Sequence, residues 1–281
     1  MSTDPNYSMQ ELQIYYINLD RSTERRAFME RQFERLGLSV ERIAAIDGRS
    51  LDASQEAETS LTDGELGCFM SHRLAWRALV NSGRSYAVIL EDDVNLSHNF
   101  STVVASSQWI PDGADIVKLE TMKRKVGIST TMRPMPGGHT SRLLTRDVGG
   151  GGYLIHRREA IRLLSEESML RAVDLVLFST RAVRTQAIYQ AVPAMVLQSQ
   201  HTPSILESTL KEARCNVKKA RPRPPLLKRI PREIRRIWWK LGNPAMLYLL
   251  HLGRVRFIEI NFCDSFDSTA PRQHGVRTFT P

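Results

Sequence analysis

The sequence predicts an α/β domain with a mostly parallel central sheet, followed by a basic, proline-interrupted helical segment. Three observations carry that prediction. Apolar runs of strand length alternate with stretches of helical periodicity. The 281 residues are 42% apolar and 25% charged, an ordinary globular balance that excludes wholesale disorder, collagen and coiled coil. The net charge of +9 is concentrated in one stretch near the C-terminus.

The run Ile14 to Leu19 (IYYINL) reads as a buried strand, and Asp20 to Thr23 supplies helix-start chemistry with Glu24 in the first turn. Met29, Phe33 and Leu36 follow at helical spacing, and Gly37 is the expected C-cap. Val40 to Ile46 reads as a second strand ending at Asp47-Gly48, so the chain opens β-α-β. A helix is expected from Gly64 to Asn81, with Leu66, Met70 and Leu74 on one stripe and Gly83 at its end. Tyr86 to Leu90, Asp115 to Leu119 and Tyr153 to His156 read as further strands, and Arg158 to Glu167 as a helix. Such alternation implies a mostly parallel sheet covered on both faces.

Between Lys211 and Lys240 there are 12 Lys or Arg and 2 acids, which leaves 27 bases against 28 acids elsewhere. Pro222, Pro224 and Pro225 forbid a continuous helix there and mark Arg221 to Leu226 as an extended linker. The expected organisation is an α/β domain over 1–210 and a basic segment with amphipathic helices over 211–281. Within the latter, Ile230, Ile234, Ile237, Trp238 and Leu241 share a helical stripe while Arg232, Arg235, Arg236 and Lys240 crowd other faces. That layout suits an interfacial helix on anionic lipid; packing of the stripe on the main domain is the alternative. No run approaches the roughly 18 apolar residues of a membrane span. Met1 to Gln10 shows no secretory signal, and Cys68, Cys215 and Cys263 are an odd set without CxxC spacing. The expected location is cytoplasmic, peripheral at the inner face of the membrane.

Open α/β sheets bind ligands beyond the carboxyl ends of their strands, which directs attention to Glu91-Asp92-Asp93 behind Tyr86 to Leu90. Side chains alternate along a strand, so Glu91 and Asp93 are expected to point the same way. A divalent cation, Mn²⁺ or Mg²⁺, would relieve their repulsion and neutralise a departing diphosphate; a solvated acidic turn is the competing reading. In the segment Gly64 to His72, the two glycines permit close approach of a ligand or a neighbouring backbone. Cys68 is expected to pack rather than act as a nucleophile, and His72 to be either a polar pocket residue or a hydrogen-bonded core histidine. Gly149 to Gly152 is either a mobile loop or a place where a ligand needs backbone room. Asp174, among Val173, Leu175 and Val176, either caps a helix or is held for chemistry, since partial desolvation suits a general base. Asp115 and Glu120 are lesser candidates of that kind.

Taken together, YYINLDRSTERR, AAIDGR, GELGCFMSH, VILEDDV, DIVKL, GGYLIHRREA, VDLVLF and VPAMVLQ resemble, in order, the motifs of the family 25 glycosyltransferases, over about Ile14 to Ser204. The resemblance implies a GT-A-like fold for nucleotide-diphospho-sugar transfer, with Glu91 and Asp93 standing in for the DxD metal motif. It further implies inverting transfer, commonly of galactose from UDP-galactose, to a lipooligosaccharide or other glycan. Asp174 is then the expected base and Asp92 orients the turn. Asn18 and Arg21 are expected near the nucleotide, Arg25 or Arg26 at its phosphates, and His72 in the donor pocket. The four-glycine loop departs from the family pattern, so no contact is assigned to it. Two rivals use the same features differently. A metal-dependent phosphohydrolase would need more Asp and His ligands than this triplet offers. A nucleic-acid-binding protein would use the basic segment, which lacks a base-reading motif, so no nucleic-acid partner is expected.

Overall fold

The computed structural model describes residues 12–51, 61–166, 171–199 and 252–263. It opens with β1 (Gln13–Asn18), α1 (Thr23–Leu36), β2 (Glu41–Ala44), α2 (Asp63–Ser82) and β3 (Tyr86–Glu91). A short strand β4 (Val94–Leu96) and helix α3 (Phe100–Val104) follow. Next come β5 (Ile116–Lys118), β6 (Glu120–Thr121), β7 (Lys125–Met135), β8 (Gly138–Leu143), β9 (Gly152–His156) and α4 (Arg157–Ser165). The remaining elements are α5 (Val173–Phe178), α6 (Thr180–Thr185), β10 (Ile188–Val192), β11 (Val196–Gln198) and β12 (Val255–Glu259).

The opening β-α-β unit forms as its pattern predicts. The buried run of β1 pairs parallel with β2 on one side and β3 on the other. Gly37 ends α1 in the left-handed region at φ 63°, returning its amide to the carbonyls of Phe33 and Glu34. α2 begins at a capping box: Thr62 accepts from the Glu65 amide, and the Glu65 side chain accepts from the Thr62 amide. Gly67 settles why a small residue sits in α2. A β-carbon there would lie 2.7 Å from the Gly48 nitrogen and 2.7 Å from the Ile46 carbonyl, so the helix presses directly on the backbone leaving β2.

The sheet is mixed, which corrects the mostly parallel expectation. Its order is β12-β7-β8-β10-β5-β9-β3-β1-β2, with β4-β11-β6 forming a second, three-stranded sheet. β1 is parallel to β2 and β3, and β10 to β5. β9 enters between β3 and β5 antiparallel to both, and β7, β8 and β12 are also joined antiparallel. One source of the antiparallel pairing is the β7–β8 hairpin, turned at Pro136-Gly137 with Gly137 at φ 73°. The outer end of β7 is exposed, so it shows no apolar alternation to announce a strand.

Both faces of the sheet are covered, as expected. Along β3, Ala87 and Ile89 enter one core with Trp76, Leu79, Tyr153 and Phe178. Val88 and Leu90 enter the other with Ile14, Phe100, Val117 and Leu154. β12 pairs with β7, and the Thr121 hydroxyl donates to the Ile260 carbonyl, so residues 255–260 belong to this same sheet and core. The 210/211 boundary, the 221–226 linker and the 230–241 helix lie outside the described residues.

Candidate active site

Strand alternation decides what Glu91 meets. Continuing the Ala87–Ile89 series, its side chain faces α2, where Oε1 lies 3.3 Å from His72 Nε2 and 4.0 Å from Cys68 Sγ. The next two residues turn away from α2 and toward α1. Asp92 Oδ2 accepts from Asn18 Nδ2 at 2.7 Å, and Arg25 Nη2 bridges Asp92 Oδ1 at 3.0 Å and Asp93 Oδ2 at 2.6 Å. Gln198, at the end of β11, donates to Asp93 Oδ2 at 3.3 Å. These groups border a cavity of about 230 Å³ at the carboxyl ends of β1 and β3, walled on the far side by Ile46 to Arg49 and by Gly64, Cys68 and His72.

The carboxylates are short of positive charge. Asp93 is 2% exposed, and burial, reinforced by Glu91, pushes it up to about 7 against the pull of Arg25. Its Oδ1 is buried with no hydrogen-bond partner among the described residues. Burial also raises Asp92, although Arg25 and Asn18 both oppose the shift. Behind them Glu120 is fully buried and pushed up to about 8 by burial; its Oε2 accepts from the Gly151 amide at 3.0 Å.

The glycine loop before β9 threads between these acids. A β-carbon on Gly149 would lie 2.6 Å from Glu120 Oε2, one on Gly151 3.1 Å from Glu120 Oε1, and one on Gly150 3.7 Å from Glu91 Oε1. The glycines therefore give the protein's own carboxylates room against backbone. Lys118, fully buried, donates to Asp147 at 2.6 Å and to the Val148 carbonyl, and lies 4.8 Å from the centre of the Phe178 ring. That pair holds the loop's approach to the sheet.

The remaining sequence candidates divide clearly. Arg21 lines the cavity and is paired with Asp47 at 2.8 Å. Arg25 also lines it, its charge directed at the two aspartates. Arg26 pairs instead with Glu30 on the exposed side of α1. Asn18 is buried and braced by Arg42 Nε at 3.1 Å, so its amide holds Asp92. Asp174 sits in the first turn of α5; burial raises it, while the amides of Leu175 and Gly149 and the charge of Lys118 oppose the shift. It is among the charges that raise Cys68, which burial pushes well up as a thiol, the form expected of a packed cysteine. Asp115 lies at the other end of β5, held by Arg158 at 2.8 Å and by the Ala187 amide at 2.7 Å. Arg42, Lys118 and Asp147 were not singled out from the sequence; Asp147 lies 29 residues from its lysine and no linear pattern joins them.

A cavity at the carboxyl ends of α/β strands, bordered by buried carboxylates with little counter-charge, is where an enzyme of this architecture is expected to hold its ligand. The family model described as "Glycosyltransferase family 25 (LPS biosynthesis protein)" matches residues 11–177. The chain belongs to glycosyltransferase family 25 and is an enzyme, a hexosyltransferase. It is similar to the lipooligosaccharide biosynthesis protein lic2B of Haemophilus influenzae, 27% identical over 66% of this chain and 75% of that one. It is likewise similar to the lacto-N-neotetraose biosynthesis glycosyltransferase LgtB of Neisseria meningitidis serogroup B, 31% identical over 68% of this chain and 76% of that one. A solved glycosyltransferase involved in glycosylation of the major capsid of PBCV-1 aligns with 73% of this chain and 100% of its own, at 9% identity and a TM-score of 0.43.

Proposed function

We propose that this chain transfers a hexose, galactose from UDP-galactose, to a hydroxyl of a lipooligosaccharide or related glycan, with inversion and with Mn²⁺ or Mg²⁺ bound by Glu91 and Asp93. The carrying observation is the pair of carboxylates at the end of β3: both line the cavity, and Asp93 keeps a buried oxygen without a partner among the described residues. Those donors are all oxygen, the type that these cations take in ones and twos from a protein beside substrate phosphates. The metal, when bound, offsets the charge that develops on the departing diphosphate. The broad α/β architecture suits a GT-A-like enzyme, and the names of the Haemophilus and Neisseria relatives support a bacterial surface glycan as acceptor. The choice of galactose rests on the family resemblance.

The protein's own groups have distinct tasks in this reading. Arg25 and Asn18 hold the Asp92-Asp93 turn in place. Arg21 and Arg49 border the cavity where a diphosphate would need cations. Asp174 takes the proton from the acceptor hydroxyl as its oxygen bonds to the anomeric carbon and the bond to the diphosphate breaks, the electron pair leaving with UDP. The acceptor is lipid-linked, and the protein works peripherally at the cytoplasmic membrane face; the basic stretch 211–240 supports this, and no helix among the described residues is long and apolar enough to cross a membrane.

A thermal-denaturation panel of nucleotide sugars, each with and without Mn²⁺, tests the donor. UDP-galactose with Mn²⁺ is expected to raise the midpoint most, because a ligand of the folded state stabilises it by RT ln(1 + [L]/Kd), so at equal concentration the tightest binder shifts it furthest. Equal responses to UDP-, GDP- and CDP-sugars would remove the donor assignment.

A further inference from the structure

His72, Tyr153 and Trp76 form a wholly buried chain that ends on Glu91. The Trp76 indole N–H can only donate, and it donates to Tyr153 Oη at 2.8 Å. Among the described residues the other partner of that oxygen is His72 Nδ1, also at 2.8 Å, so the phenol proton has His72 as its acceptor. Burial pushes the phenol well above its ordinary value, which keeps it a donor. With Nδ1 accepting, the ring proton belongs on Nε2, and Nε2 faces Glu91 Oε1 at 3.3 Å. The near-parallel stacking of the His72 and Tyr153 rings, 16° apart, fixes the plane of the imidazole.

Cys68, His72 and Glu91 also place ligand atoms within 4.8 Å of one another, a spacing open to a thiophilic ion. Ligation through His72 Nε2 would move the ring proton to Nδ1 and leave the Tyr153 hydroxyl without an acceptor. The chain from Trp76 therefore favours a hydrogen bond to Glu91 over a metal on the histidine.

We propose that His72 is a positioning residue whose Nε2–H pins Oε1 of Glu91, leaving Oε2 as the oxygen available to the cation. Trp76 and Tyr153 act through it by fixing its tautomer. This rests on the reading of Glu91 as a cation ligand. Groups that orient a ligand from behind typically change metal affinity by about 10- to 100-fold when removed.

The test measures UDP affinity of the full chain with and without Mn²⁺, for the wild type, Tyr153→Phe, His72→Phe and His72→Gln, each first shown to be folded by circular dichroism. In the wild type Mn²⁺ should tighten UDP binding by at least about tenfold. Tyr153→Phe and His72→Phe should each lose most of that gain, and in Tyr153→Phe, which does not border the cavity, metal-free UDP affinity should hold. His72→Gln, which restores an N–H, should keep more of it than His72→Phe. A folded Tyr153→Phe or His72→Phe with the full wild-type gain overturns the positioning role. A wild type with no Mn²⁺-dependent gain overturns the metal reading beneath it, a separate and recognisable failure.

Discussion

Glu91→Ala and Asp93→Ala are each expected to cut sugar transfer steeply while the protein stays folded. Each substitution removes a carboxylate from the place where the leaving diphosphate must be neutralised, and interactions made mainly in the transition state are lost from turnover. The expected fall is about a hundred- to a thousandfold, the range for losing one preorganised electrostatic contact. Folding should survive for different reasons at the two positions. The Glu91 side chain is 25% exposed, so its removal opens no sealed cavity. Asp93 is buried beside Glu91, whose charge helps to raise it, so its loss relieves that repulsion as it removes a partner of Arg25. Turnover measured at saturating donor across a Mn²⁺ series, beside thermal melts, checks both halves. Near-normal turnover in low metal for either variant would break the assignment.

Asp174→Asn is expected to lower turnover by at least about a hundredfold with little change in donor affinity, the pattern for loss of a general base. The substitution keeps the side chain's shape and its place in the first turn of α5, so the fold is not the variable. Because burial raises Asp174, the rising limb of turnover against pH should lie above the ordinary carboxylate range and disappear in the variant. An unchanged rate would move the base to another group, and Glu120, nearer than Asp115 to the Glu91 pair, would be next.

The opening of the fold was readable because its signals are local. β1 is a continuous buried run, α1 has a regular apolar stripe, and Gly37 and Gly83 end their helices in the left-handed region. The same alternation rule places Glu91 toward α2, and of the two glycines near the start of α2, Gly67 makes a close approach to neighbouring backbone. Glu91 and Asp93 both border the cavity, yet they do so from different sides: one meets α2, the other is drawn to Arg25 on α1. What stayed hidden depends on distant partners. The β7–β8 hairpin carries few apolar residues at its outer end, so only Pro136-Gly137 marked it. The contacts of Tyr153 with Trp76 and His72 span 77 and 81 residues, and no spacing rule in the chain announces them.

Transfer to an acceptor at this cavity is measured most directly by counting both products. The full chain is given UDP-galactose, Mn²⁺ and a lipooligosaccharide acceptor, and released UDP is compared with hexose added to the acceptor by mass. Equal amounts of the two are expected, with UDP release dropping steeply when acceptor is omitted. Release of UDP or sugar phosphate at the same rate with and without acceptor, and no gain in acceptor mass, would contradict it and make the carboxylate site that of a hydrolase.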